Sequence, residues 1–137
     1  MDLVYREKAA AKLWRALSDA VVLVEGKNDE RALREVGITA ATVRAAGRTE
    51  KILEKATAIA AAGNKKIVLL FDYDAEGRRK MTFFEEAFFN AGGRASVVEW
   101  RRLRELFGLR TVEDLPTAYW ELMDEIAAGK RRAIPRA

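Results

Sequence analysis

Ile67-Val68-Leu69-Leu70-Phe71-Asp72-Tyr73-Asp74-Ala75-Glu76-Gly77 is the stretch that decides the fold. Its five apolar residues have the length of a strand buried on both faces, and the run stops at once in carboxylates and a glycine. Val21-Val22-Leu23-Val24-Glu25-Gly26 repeats the pattern upstream. Strands of this kind belong to parallel sheets, whose ligands bind beyond the carboxyl ends of the strands. Carboxylates gathered there predict a site for a hard divalent cation, with Mg²⁺ first and Mn²⁺ as an alternative.

Outward from these motifs, helices and strands alternate. Leu3, Ala10, Leu13, Trp14 and Leu17 share a helical face, so residues 3–17 are expected to form an amphipathic helix. Ala20 to Val24 is the first strand. Asn28 or Asp29 can cap a helix that Gly37 ends. Ala41 to Ala45 is a short second strand, and Thr49 caps a helix that stops at Gly63-Asn64. Ile67 to Phe71 is the third strand. A helix over about 77–90 follows, with Met81, Phe84, Phe88 and Phe89 inside. Gly92-Gly93 turns the chain into a fourth strand, Ala95 to Val98. Thr111 to Asp114 begins a last helix carrying Tyr119, Trp120, Leu122, Met123 and Ile126, and the basic tail from Gly129 is expected to fray. The pattern predicts a three-layer α/β/α fold with a four-stranded, mostly parallel sheet and extra terminal helices. The expected organisation is an N-terminal helix over 1–19, a core over 20–100 and a helical extension over 101–137.

Composition narrows the chemistry. The 137 residues suffice for one domain with a real core, and half of them are hydrophobic. Apolar runs are strand-sized, so no membrane span is expected. The first twenty residues lack an apolar signal core, so secretion is not expected. No cysteine is present, which excludes disulfides and cysteine zinc sites and makes the cytoplasm the expected compartment. No histidine is present either. Acid–base work must therefore fall to carboxylates, lysine, tyrosine or metal-bound water. A net charge of +4 is compatible with a polyanionic partner but does not require one.

Taken alone, each motif has a plain structural reading. Asp72 and Asp74 can be turn formers or helix caps, and Glu25 can serve the dipole of the following helix. As chemistry, Asp72, Asp74, Glu76 and Glu25 are candidate metal ligands, and Glu25 is a candidate general acid or base. Gly26 and Gly77 allow close backbone approach or positive φ, and Gly47 ends a strand on the same edge. Lys27, Arg78, Arg79 and Lys80 can contact phosphate or balance the acidic cluster, and Arg48 after Gly47 can bind phosphate at a helix start or belong to a plain turn. Arg101 and Arg102, with Arg104 and Trp100, can extend a nucleic-acid track or form a solvated helix face. Phe83, Phe84, Phe88 and Phe89 read as core rather than as a base-stacking surface. Trp14, Trp100 and Trp120 can form a dimer contact or seal the sheet edge.

The two motifs together resemble the Toprim domain, the catalytic module of type IA and type II topoisomerases, bacterial-type primases, OLD-type nucleases and a bacterial ribosomal-RNA maturase family. Glu25-Gly26 matches the first family motif. Asp72, Asp74 and Gly77 match the second, and Glu76 matches the extra acid of the topoisomerase version. The resemblance runs from about Ala20 to about Trp100. It implies Mg²⁺-dependent chemistry on a nucleic-acid phosphodiester, with Glu25, Asp72 and Asp74 catalytic. The covalent tyrosine domain of topoisomerases and the zinc region of primases are not evident, so a small nuclease is the economical expectation. RNA is the first substrate to test, by analogy with the maturases, and DNA the second. Rivals are a non-catalytic metal- and nucleic-acid-binding subunit that needs a protein partner or a second copy of itself, and a receiver- or phosphatase-like domain acting on small phosphates. Glu25-Gly26 argues against the last, because such domains place an aspartate pair after the first strand.

Overall fold

The computed structural model describes residues 2–133. Four parallel strands are ordered β2-β1-β3-β4: β1 Val21–Val24, β2 Ala41–Arg44, β3 Ile67–Leu70 and β4 Ala95–Ser96. Side chains alternate across the sheet, as pleating requires. Val22, Val24, Val68 and Leu70 face one layer, built from α1 (Leu3–Ser18), α2 (Lys27–Glu35) and α5 (Val98–Phe107). Val21, Leu23, Ile67, Leu69 and Phe71 face the other, built from α3 (Thr49–Gly63) and α4 (Ala75–Asn90). The fold is therefore three-layer α/β/α, with every residue of β1 and β3 buried. A 3₁₀ turn, Val112–Asp114, leads into α6 (Leu115–Ala133), which packs on α1 through Ala10, Leu122 and Ile126.

The strand order places a topological switch point between β1 and β3. From β1 the chain crosses over α2 to one side of the sheet, then returns over α3 on the opposite face to reach β3. The connections that leave the carboxyl ends of β1 and β3, α2 and α4, run to opposite faces of the sheet, which opens a crevice there. Both acidic motifs end at that crevice.

Several expectations change. The fourth strand is only two residues long, and Val98 to Phe107 forms α5 instead. Trp100, Leu103 and Leu106 recur every three residues and sit buried in the α1–α2 layer. Trp100 is thus core and is unavailable to a nucleic-acid track. A boundary at residue 100 falls inside α5, whose side chains share a core with β1 and β3. The helix from Leu115 continues through Ala133 rather than fraying at Gly129; residues 134–137 lie outside the described residues. Phe84 and Phe88 are buried, but Phe83 and Phe89 are exposed on the opposite face of α4. Trp14 seals the first layer: its indole N–H donates to Val36 O at 2.8 Å and its ring stacks on Tyr119. Trp120 is exposed.

Two glycines beside the crevice differ in kind. A Cβ on Gly77 would lie 1.7 Å from the carbonyl oxygen of Asp72, so α4 can start this close to β3 only with glycine there. Gly26 has φ −164°, which any residue adopts, and a Cβ there would meet nothing within 4 Å. Neither glycine has positive φ, whereas Gly47 does, at +96°. Gly77→Ala is expected to destabilise the protein by about 3 kcal/mol, as overpacking against backbone does. Gly26→Ala is expected to change stability by no more than about 0.5 kcal/mol. Urea unfolding of both variants checks the contrast, and equal losses would contradict it.

Candidate metal and phosphate site

The two acidic motifs meet. Parallel pairing sets Val24 beside Leu70, so the residues just beyond each strand are neighbours. The Asp72 N–H donates to Glu25 Oε1 at 3.2 Å, closing a contact between residues 47 apart in sequence. Lys80, one helical turn beyond Glu76, donates to Glu25 Oε2 at 3.2 Å and lies 3.5 Å from Glu76. Lys80 is therefore the counter-charge of Glu25 and Glu76, a role that sequence alone allowed equally to Arg78 and Arg79.

The other carboxylates are held as well. Asp74 is the N-cap of α4 and accepts from the Gly77 N–H at 2.7 Å. Asp72 Oδ1 accepts from the Val112 N–H at 3.2 Å, tying β3 to the 3₁₀ turn. Asp29, on the first turn of α2, accepts from the Gly26 N–H at 3.1 Å and is 6 % exposed. Burial pushes the Asp29 carboxyl up to about 6, and the charges of Asp72, Glu25 and Glu113 add to the rise. Burial also raises Asp72, helped by Glu25, Asp74 and Glu113. Asp29 and Glu113 were not singled out from the sequence. Asp29 read only as a helix cap, and Glu113 reaches the cluster through a long-range turn contact.

Does a hard divalent cation fit? The donors are all oxygen, and Lys80 is the one cation paired with Glu25 among the described residues. Among the described residues, no hydrogen bond uses Asp72 Oδ2 or Asp74 Oδ2. Also among them, no three acidic side chains converge as a ready-made metal site. The arrangement fits a cation held by one or two carboxylates and otherwise by water, as Mg²⁺ commonly is. Glu76 sits on the first turn of α4, tied to Lys80.

A second feature adjoins the acids. Tyr73 points into a cleft of about 660 Å³ lined by Asp74, Arg78, Arg104, Arg110 and Thr111. Arg104 Cζ lies 3.0 Å and Arg78 Cζ 5.0 Å from the Tyr73 ring centroid. Arg78 beside the phenol oxygen, and then the charge of Arg104, hold the Tyr73 hydroxyl below the usual phenol range. The Tyr73 N–H donates to Arg110 O at 2.6 Å, which fixes the loop after α5 to the acidic loop.

The remaining predicted residues lie apart. Lys27 and Arg48 are exposed at the starts of α2 and α3 on the same edge of the sheet. Arg79 is exposed on α4 beside Thr82. Arg101 and Arg102 are exposed on α5, and Arg102 lines a different groove with Tyr5 and Lys12. Of the basic residues named from sequence, Arg78 and Arg104 line the cleft.

The chain matches no family model and no curated protein. A solved structure of a protein from Aquifex aeolicus is similar, with a TM-score of 0.61 and 26% identity over 79% of this chain and 95% of that one. That likeness supports the α/β/α architecture; the name carried by the relative states no activity.

Asp29 offers a check on the electrostatics. Its folded carboxyl titrates near 6 against an ordinary 3.8, so the native state binds the proton more tightly than the unfolded chain. Its contribution is fully present below about pH 4 and is lost as pH rises through about 6. Asp29→Asn keeps the acceptor for Gly26 N–H and removes the charge. The variant is expected to match wild type near pH 4 and to exceed it by about 1–3 kcal/mol at pH 7.5. Urea unfolding across pH 4–8 measures this, and a constant difference would refute the raised carboxyl.

Proposed function

We propose that this protein is a Toprim-type phosphodiesterase: a small Mg²⁺-dependent nuclease acting on RNA first and DNA second. The observation that carries the reading is the Asp72 N–H···Glu25 hydrogen bond, which joins the two motifs of the resemblance at one switch-point crevice. The cysteine-free, histidine-free chain suits a cytoplasmic enzyme that works with carboxylates and a cation. Among the described residues no helix is long and apolar enough to cross a membrane.

The residues divide the work. Asp72 and Asp74 would hold the cation, since the fold engages one oxygen of each carboxylate by a hydrogen bond. The bound cation supplies charge stabilisation at the scissile phosphate. Glu25 moves the proton, while Lys80 orients its carboxylate and gives up that contact when a phosphate competes for the ammonium. Glu76 keeps Lys80 in place from the exposed side. Lys27, Arg48, Arg79, Arg101 and Arg102 contribute at most to a diffuse basic surface.

A second reading, a non-catalytic subunit that binds metal and nucleic acid, is favoured by one observation. Lys80 already occupies Glu25, as a structural ion pair would.

Conservative variants separate these readings. Asp72→Asn keeps the acceptor for Val112 N–H, and Asp74→Asn remains a good cap. Both should fold and lose Mg²⁺ binding by calorimetry. Glu25→Gln keeps the acceptor for Asp72 N–H. It should bind nucleic acid normally while cleaving labelled structured RNA at least about 100-fold more slowly. Unchanged Mg²⁺ affinity in both aspartate variants would remove the metal assignment. Binding without any metal-dependent cleavage in wild type would select the subunit reading.

A further inference from the structure

The cleft beside Asp74 carries more positive charge than the fold uses. Arg78 comes from the first turn of α4, Arg104 from the last turn of α5, and Arg110 from the loop beyond it. None of the three is in an ion pair among the described residues. The only carboxylate lining the cleft, Asp74, caps α4. Arg104 Nε is buried with no hydrogen-bond partner, which the fold alone does not explain. Three guanidinium groups converging on one cavity repel each other, and Arg78 at a helix N-terminus also opposes the dipole. An anion bound in the cleft relieves the mutual repulsion and the opposition to the dipole together.

From this geometry we infer a phosphate subsite in the cleft, formed by Arg78, Arg104 and Arg110 with Tyr73 as its floor. Guanidinium forks match phosphate oxygens in pairs. The volume, about 660 Å³, is larger than one phosphate needs and admits a nucleotide unit. Tyr73 is already covered by Arg104, so the subsite grips the phosphate and leaves the base unread. The subsite is rigidly coupled to the acids. The same short loop receives the Tyr73 N–H at Arg110 O and, at Val112, donates to Asp72. A strand seated there lies beside Asp74, which lines the cleft and sits two residues beyond Asp72. The link to cleavage rests on the nuclease reading; the binding does not.

Fluorescence anisotropy in EDTA tests it with labelled ten-nucleotide strands carrying either a 5′-phosphate or a 5′-hydroxyl. Wild type should bind, with little dependence on base sequence. Arg104→Gln and Arg110→Gln should each weaken binding about tenfold and flatten the salt dependence by about one phosphate contact. Arg94→Gln, just before β4 at the opposite end of the sheet, should not. Arg110 is an exposed loop residue, so its variant reports even where Arg104→Gln perturbs packing. Tighter binding of the 5′-phosphorylated strand assigns a terminal phosphate. Equal binding assigns an internal phosphodiester, and both support the subsite. Wild-type affinity and salt slope in both folded arginine variants would overturn it, as would no binding by wild type. The nuclease reading fails separately: arginine-dependent binding in EDTA with no cleavage in Mg²⁺ removes the enzyme and keeps the subsite. Cleavage that Asp72→Asn abolishes, with both arginine variants binding normally, does the reverse.

Discussion

Everything at the crevice depends on the register between β1 and β3. Val24 lies opposite Leu70, and this fixes Glu25 within reach of the Asp72 backbone. A slip of one residue would turn the apolar side chains of β3 to the wrong layers and carry Asp72 away from Glu25. The register is strongly specified because both strands are buried on both faces. Val22, Val24, Val68 and Leu70 fill one layer while Val21, Leu23, Ile67 and Leu69 fill the other. The hydrophobic core thus positions carboxylates that contribute nothing to it.

Charge is segregated across a few residues. On one side of the β3–α4 loop lie Asp29, Asp72, Glu25 and Glu113, with Lys80 as partial counter-charge. On the other side Arg78, Arg104 and Arg110 surround Tyr73. Mixing these groups into ion pairs would have been the simplest way to stabilise the surface. Instead the loop holds them apart, since Tyr73 and Asp72 are each pinned by a hydrogen bond with the loop after α5. A cation beside the acids and a phosphate beside the arginines would each meet unbalanced charge of the opposite sign.

The alternation of strands and helices was legible because β1, β3 and their helices carry clean apolar periods ended by glycine, asparagine or acidic caps. α5 was not. Its apolar residues Trp100, Leu103 and Leu106 lie among Arg101, Arg102 and Arg104, and the basic residues dominated the reading. Arg104 then bends back over Tyr73, a contact between the last turn of α5 and the β3–α4 loop that no local pattern reveals. Asp29 and Glu113 were missed for a similar reason. Their place in the acidic cluster depends on how α2 and the 3₁₀ turn close over the sheet edge. The four phenylalanines of α4 show the limit of composition. Phe84 and Phe88 lie four residues apart on the inner face, while Phe83 and Phe89 fall outside it.

The structural and chemical readings of the acidic motif are not exclusive. Asp74 caps α4 and Asp29 accepts from Gly26, so each does what a plain turn or cap residue would do. Each does so with one oxygen, and a carboxylate has two. Capping locks the side chain's direction and leaves the second oxygen aimed from a rigid support, which a binding site needs. Gly77 follows the same logic, because only glycine lets the capped helix start against the Asp72 carbonyl. Gly26 does not. It is the N-cap of α2 with its N–H held by Asp29, and neither its φ nor its surroundings demand that this cap be glycine.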